Sequence, residues 1–154
     1  MAAILVTGAT GFIGQHLVRK LLTDGHTVRA IRFGTEAISF FDPEEVEWRN
    51  GDLRAPMSLD GICDGIDIVY HLGAISRNDL RKTWKDFEDV NIRGTQYLCE
   101  QASRSGVKRF VFISSVEAAG YGDGKKPRTE EELCPVDLHC GGRAHEQPCE
   151  PFRG

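Results

Sequence analysis

The stretch Ile4-Leu5-Val6-Thr7-Gly8-Ala9-Thr10-Gly11-Phe12-Ile13-Gly14 decides the fold. An apolar run reaches Thr7, three glycines follow in a GxxGxxG spacing, and amphipathic sequence continues from Ile13 to Leu22. That order reads as strand, tight turn and helix, the context in which a glycine fingerprint marks a dinucleotide site. Gly8 permits the turn, Gly11 lets the backbone approach a pyrophosphate, and Gly14 lets the helix lie close to the strand. The first helical N–H groups and the positive end of the helix dipole then face the phosphates. Thr10, Phe12 and Ile13 share this loop and count with it as binding candidates. A plain glycine turn would show the same triplet, and the flanking strand and helix are what favour a site.

Outward from this motif, strand and helix alternate as far as Ser115. Strands are expected over 3–7, 27–32, 46–50, 66–71 and 109–114, and helices over 11–23, 56–63 and 83–103. Trp84, Phe87, Val90, Ile92, Tyr97, Leu98 and Ala102 recur near helical spacing in the last of these. Thr83 with Asp86 forms an N-terminal box, and Gly106 supplies a stop. Strands joined by helical crossovers imply a parallel sheet with right-handed connections. With the fingerprint on the first strand, the expectation is an α/β, doubly wound Rossmann sheet of order 3-2-1-4-5. The regular domain is expected over 1–133. From 134 to 154, Cys, His, Gly, Pro and Arg mix without period and read as an irregular tail.

Composition narrows the partners. The 154 residues are 40% hydrophobic and 27% charged, ordinary for a globular domain. A net charge of -4 gives no basic field for nucleic acid, and no apolar run is long enough for a membrane span. The N-terminus opens on a strand with no export-type segment, and five cysteines is an odd number, with Cys63 and Cys99 falling in regular elements. These features point to a reducing cytoplasm.

Five segments together resemble the extended short-chain dehydrogenase/reductase family, the NAD(P)-dependent epimerase/dehydratase type of nucleotide-sugar enzymes. They are the glycine motif; Gly51-Asp52-Leu53; Val69-Tyr70-His71-Leu72-Gly73-Ala74; Asn91-Ile92-Arg93-Gly94-Thr95; and Phe110-Val111-Phe112-Ile113-Ser114-Ser115. The resemblance covers residues 2 to about 137, the N-terminal part of a longer family pattern. It implies that Asp52 accepts from the adenine amino group while Leu53 packs on the ring, a turn-capping aspartate being the other reading. It also implies that Leu72, Gly73 and Ala74 let the backbone touch ribose and nicotinamide, and that Asn91 braces the active site. Asn91 facing solvent is the bland alternative, and His71 reads as packed rather than catalytic. Ser115 corresponds to the catalytic serine, which bonds a substrate hydroxyl or carbonyl, with Ser114 beside it at the cofactor. Either serine could equally be a turn residue.

Arg32 ends the second strand, where NAD-preferring members carry an acidic residue. A guanidinium cannot accept ribose hydroxyl protons but can pair with a 2′-phosphate, so the cofactor expectation is NAD(P), with NADP favoured over NAD. A solvated edge arginine is the competing view.

The family's Tyr-xxx-Lys pair is not found where it should follow Ser115. Counting onward lands on His139 and Cys140, with Arg143 and Ala144 at the lysine position, and the tyrosines are only 70, 97 and 121. Tyr121 and Lys125 have the spacing, but they come too early and two glycines interrupt the helix that would stack them. The tail therefore reads as a truncated or frame-shifted end, or the chain as a short module that binds a dinucleotide without catalysis. Turnover by this chain alone is not expected. The tail's Cys134, His139, Cys140, His145 and Cys149 fit no zinc spacing, and no metal is expected.

The function these readings imply is hydride chemistry on a sugar or nucleotide sugar. Ala119, where many sugar epimerases have tyrosine, also resembles a steroid- or flavonoid-reductase branch. A homodimer through the 83–103 helix is expected.

Overall fold

Five strands, β1 (Ala3–Thr7), β2 (Thr27–Arg32), β3 (Val46–Asn50), β4 (Ile68–His71) and β5 (Arg109–Phe112), pair in parallel in the order β3-β2-β1-β4-β5. That is the order expected from a fingerprint on the first strand. The structure is a computed structural model describing residues 1–33, 38–76 and 82–115. It divides into two compact units, Met1–Ile113 and Ser114–Gly154, and the sheet belongs to the first. The tail, the Tyr121–Lys125 motif and the candidate ligands beyond Cys134 lie outside the described residues.

Strand β1 is apolar on both faces because both are covered. Leu5 joins Ile31, Leu59, Ile62, Val69, Leu98 and Ala102 on one side. Ile4 and Val6 join Val18, Leu21, Val28 and Val46 on the other, under helix α1 (Phe12–Thr23). This alternation is the period-two geometry of a strand. Cys63 is fully buried, and burial, with Asp64 beside it, pushes its thiol up to about 11. At neutral pH it stays protonated and serves as packing.

Several expected boundaries move. The helix expected over 56–63 is a single 3-10 turn, Pro56–Leu59, followed by turns in which Gly61 takes φ +68. A residue in the left-handed region cannot continue a right-handed helix. Strand β4 starts at Ile68 rather than 66, and β5 ends at Phe112 rather than 114.

The helix expected over 83–103 exists in three joined parts: α2 (Trp84–Phe87), a π-helical stretch Glu88–Gly94, and α3 (Thr95–Arg104). Val90, Leu98 and Ala102 are buried, whereas Trp84 and Ile92 are exposed. The Thr83 box is present: the Thr83 hydroxyl accepts from the Asp86 amide, and the Asp86 carboxylate accepts from the Thr83 amide. Replacing Thr83 by Ala should cost about 1 kcal/mol, lowering the melting midpoint by roughly 2–4 °C in a thermal scan. Beyond Arg104 the chain turns at Gly106, as expected.

Candidate functional site

The strand order reverses between β1 and β4, so the carboxyl ends of these two strands open a crevice where ligands of such sheets bind. Thr7 and His71 are register partners there. Gly8 follows Thr7 with φ +69, a conformation costly to any side chain, and a Cβ there would lie 2.8 Å from the Gly73 nitrogen. Gly14 is tighter still: a Cβ would meet the Gly8 carbonyl oxygen at 2.0 Å. Helix α1 thus rests on the turn itself.

Gly11 occupies the N-cap of α1 and is exposed. Having no side chain, it supplies no capping acceptor, and the first amides of the helix are open to an anion. Thr10 is held from behind: its carbonyl accepts from Gln15 Nε2 at 2.8 Å, and Gln15 Oε1 accepts from the Ser39 amide at 2.8 Å. Buried Gln15 so ties the glycine turn to the segment after β2. Phe12 and Ile13 project outward, 74% and 63% exposed, and Phe12 meets the His16 ring edge-on at 4.9 Å.

The wall facing this turn is the segment after β4. Thr7 Oγ1 accepts from the Leu72 amide at 3.2 Å and the Gly73 amide at 2.9 Å. It also lies 2.5 Å from His71 Nδ1, while His71 Nε2 lies 2.8 Å from Thr95 Oγ1. Thr95 Oγ1 donates to the Asn91 carbonyl at 2.9 Å. Asn91 grips Ile75 at both ends, its Oδ1 accepting from the Ile75 amide at 2.8 Å and its Nδ2 donating to the Ile75 carbonyl at 3.0 Å. The Asn91 side chain therefore does not simply face solvent. Ala74, between the two held points, is exposed. The His71 ring is fully buried, and burial lowers it to about 4.

Asp52 and Leu53 lie just beyond β3. Asp52 caps its own turn, Oδ1 accepting from the Arg54 amide at 2.9 Å, and the Arg54 side chain bonds the same carboxylate, its terminal nitrogen 2.8 Å from Oδ2. Partial burial pushes the Asp52 carboxyl up, but the Arg54 hydrogen bonds and charge outweigh it and hold the group below its ordinary value. The Arg54 guanidinium also lies 5.1 Å from the Phe33 ring centroid. Leu53 touches both flanks: Cβ atoms on Gly73 and Gly94 would lie 3.1 and 2.8 Å from its side chain.

Arg32 and Arg29 point to opposite faces of β2. Arg32 lies 5.7 Å over the Trp48 ring, whereas Arg29 bonds the Ile62 and Asp64 carbonyls at 2.9 and 2.8 Å and pairs with Glu47 at 3.0 Å. Ser114 and Ser115 come one residue after β5, exposed, and belong to the second unit. Within the first unit the structure thus gathers Gly8 to Gly14, Leu72 to Ala74, Asp52, Leu53 and Asn91 around one sheet edge.

Sequence reading left Thr7, Gln15, Thr95 and Gly94 out of the candidates. A glycine inside a helix, costly there, is the signal that Gly94 faces a close neighbour. Among the described residues no group of three or more His, Cys, Asp or Glu could hold a metal, and no helix is long and apolar enough to cross a membrane.

Residues 4–139 match the NAD dependent epimerase/dehydratase family. The chain is 40% identical over 117 residues to sterol demethylase protein B of Methylococcus capsulatus, covering 75% of this chain and 35% of that protein. It is 36% identical over 143 residues to UDP-glucose 4-epimerase of Neisseria meningitidis, covering 85% and 41%. Among solved structures, a short-chain dehydrogenase/reductase superfamily protein of Agrobacterium tumefaciens with bound NAD superposes with a TM-score of 0.66 at 34% identity. That match covers 77% of this chain and 34% of the other. The chain thus spans between a third and about two-fifths of the length of these relatives.

Proposed function

The chain belongs to the NAD-dependent epimerase/dehydratase family, and on that premise we propose that it is the cofactor-binding part of an oxidoreductase acting on a sugar or nucleotide sugar. The observation that carries the reading is the cradle at the β1–α1 turn. Gly14 brings the helix onto Gly8 with no room for a methyl group, and exposed Gly11 leaves the helix amides open. A pyrophosphate suits that cradle in charge and in steric demand.

Thr10 to Gly14 would hold the pyrophosphate, and Leu72, Gly73 and Ala74 would border the nicotinamide ribose. Leu53 would pack on the adenine, whose amino group Asp52 would meet while Arg54 keeps its carboxylate ionised. Asn91, through Ile75, would fix the far end of the wall. A bound nicotinamide dinucleotide supplies reversible hydride acceptance. Ser115 would bond the substrate oxygen, with Ser114 beside the cofactor. With tyrosines only at 70, 97 and 121, this chain by itself would bind without turnover. A steroid- or flavonoid-type reductase of the same family is the second reading, favoured by the 40% identity to sterol demethylase protein B. A cytoplasmic location and a dimer through the α2–α3 segment complete the proposal, and light scattering that returns a monomer removes the dimer.

Arg32, on the sheet face that carries Trp48 of β3, would select the phosphorylated cofactor. Titrated into thermal melts, NADPH should raise the midpoint more than NADH, since stabilisation follows ligand affinity. Arg32→Asp should reverse the order by roughly tenfold in relative affinity, the worth of one charge-assisted hydrogen bond. Melts that neither cofactor moves would sink the binding proposal. Melts that NADH moves more would sink only the role of Arg32.

A further inference from the structure

The hydrogen bonds around His71 determine where its protons sit. Thr7 Oγ1 has one proton and two lone pairs. Two amides donate to it: Gly73 at 2.9 Å, and Leu72 at 3.2 Å, whose N–H is shared at the same distance with the Thr7 carbonyl. The hydroxyl proton is left for His71 Nδ1, 2.5 Å away. Nδ1 is therefore the acceptor, and a neutral ring must carry its proton on Nε2, which faces Thr95 Oγ1 at 2.8 Å. Thr95 Oγ1 uses its own proton in a hydrogen bond to the Asn91 carbonyl at 2.9 Å. Donation runs in one direction, from β1 through the ring into the helix backbone. The opposite tautomer would set three N–H groups against two lone pairs on Thr7, and an imidazolium would do the same.

We propose that His71 is a positioning residue: as a neutral ring protonated on Nε2 it accepts a hydrogen bond at Nδ1 from the Thr7 hydroxyl, and so aims the Thr7 lone pairs at Leu72 and Gly73. The groups that face the ring are Thr7 from β1, Thr95 from α3, and the Phe110 and Phe112 rings of β5 at 6.0 and 5.6 Å, none of them charged. Nothing in that set compensates a second proton. Without an acceptor at Nδ1 the Thr7 hydroxyl is free to rotate, and the Gly73 amide loses its anchor, while Leu72 keeps the Thr7 carbonyl. The consequence for the cofactor rests on the function proposed above. The tautomer and the anchoring do not.

The test uses the full chain without cofactor. Nitrogen-15 spectra of the histidine rings at pH 7 should show His71 bare at Nδ1 and protonated at Nε2. A proton on Nδ1 overturns the proposal. Amide exchange then reads the anchor. In His71→Asn the Oδ1 can stand where Nδ1 stands and accept the same proton, so Gly73 should exchange within about threefold of wild type. In His71→Leu it should exchange at least about tenfold faster, the scale of one lost hydrogen bond. Equal exchange in all three chains overturns the proposal. Should His71→Leu not fold, the wild-type tautomer together with Gly73 exchange in His71→Asn still decides it: exchange tenfold faster than wild type overturns it. A wild-type chain that meets both criteria yet binds neither NADH nor NADPH supports the anchor and overturns the cofactor reading alone.

Discussion

A Gly14→Val chain should melt about 10 °C below wild type and show no rise with NADH or NADPH. Gly14 is the point where α1 rests on the turn: its added Cβ would stand 2.0 Å from the Gly8 carbonyl oxygen and 2.9 Å from the Ala9 Cα. Both neighbours are backbone, and no rotamer change makes room. The helix must lift away from β1, taking Val18 and Leu21 off Ile4, Val6 and Val28. Overpacking of this kind costs about 3 kcal/mol or more, which at roughly 2–4 °C per kcal/mol gives the expected drop. Gly11→Ala separates stability from binding. Its Cβ meets only the Gly8 carbonyl oxygen, at 3.3 Å, so the fold should survive with a midpoint within about 3 °C of wild type, one small clash being worth under about 1.5 kcal/mol. The methyl group would nonetheless stand where a phosphate approaches, and the cofactor-induced rise should shrink. Wild-type melting in Gly14→Val would mean that α1 does not depend on the turn, and the cradle argument would fall.

Most of this architecture was legible in the sequence because it is written locally. β1 is an unbroken apolar run, the turn needs glycine at Gly8, and the α1 stripe has helical period, so each element announces itself within its own residues. The capping box at Thr83 is equally local. What misled was propensity without context. Met57 to Cys63 is apolar enough for a helix, but the left-handed backbone at Gly61 stops it after one 3-10 turn, and Leu59, Ile62 and Cys63 reach the core from turns instead. The π-helical widening at Glu88–Gly94 has no sequence signature of its own. Asn91 at its centre reaches back to Ile75, a contact set by the tertiary position of the segment after β4. Thr7 and Thr95 were hidden for the same reason. A threonine at a strand end or in a helix is ordinary until the strand pairing sets Thr7 beside His71.

Stability should fall by roughly 3 kcal/mol as pH drops from 6.5 to 4, and His71 should be the cause. Burial holds the folded ring at about 4, against an ordinary value of 6.5. Between those values the unfolded chain binds a proton that the folded chain refuses, so stability rises with pH across this window. The contribution is complete above 6.5 and is lost as pH falls toward the folded value, at most about 1.4 kcal/mol per pH unit. Against a typical total of about 5–15 kcal/mol, that is a large share. The carboxyls of Glu47, Asp52, Asp67 and Asp86 are all held below their ordinary values of 4.5 or 3.8, so their losses begin only at the acid end of the window. Urea titrations at half-unit pH steps from 7 to 4.5 therefore span most of the window above those losses. His71→Asn, which lacks the imidazole at position 71 and keeps the other four histidines, should give a flatter profile over the same steps, and the difference between the two chains isolates this ring. Parallel profiles in the two chains would mean that the buried ring accepts its proton without cost, against the lone-pair count at Thr7.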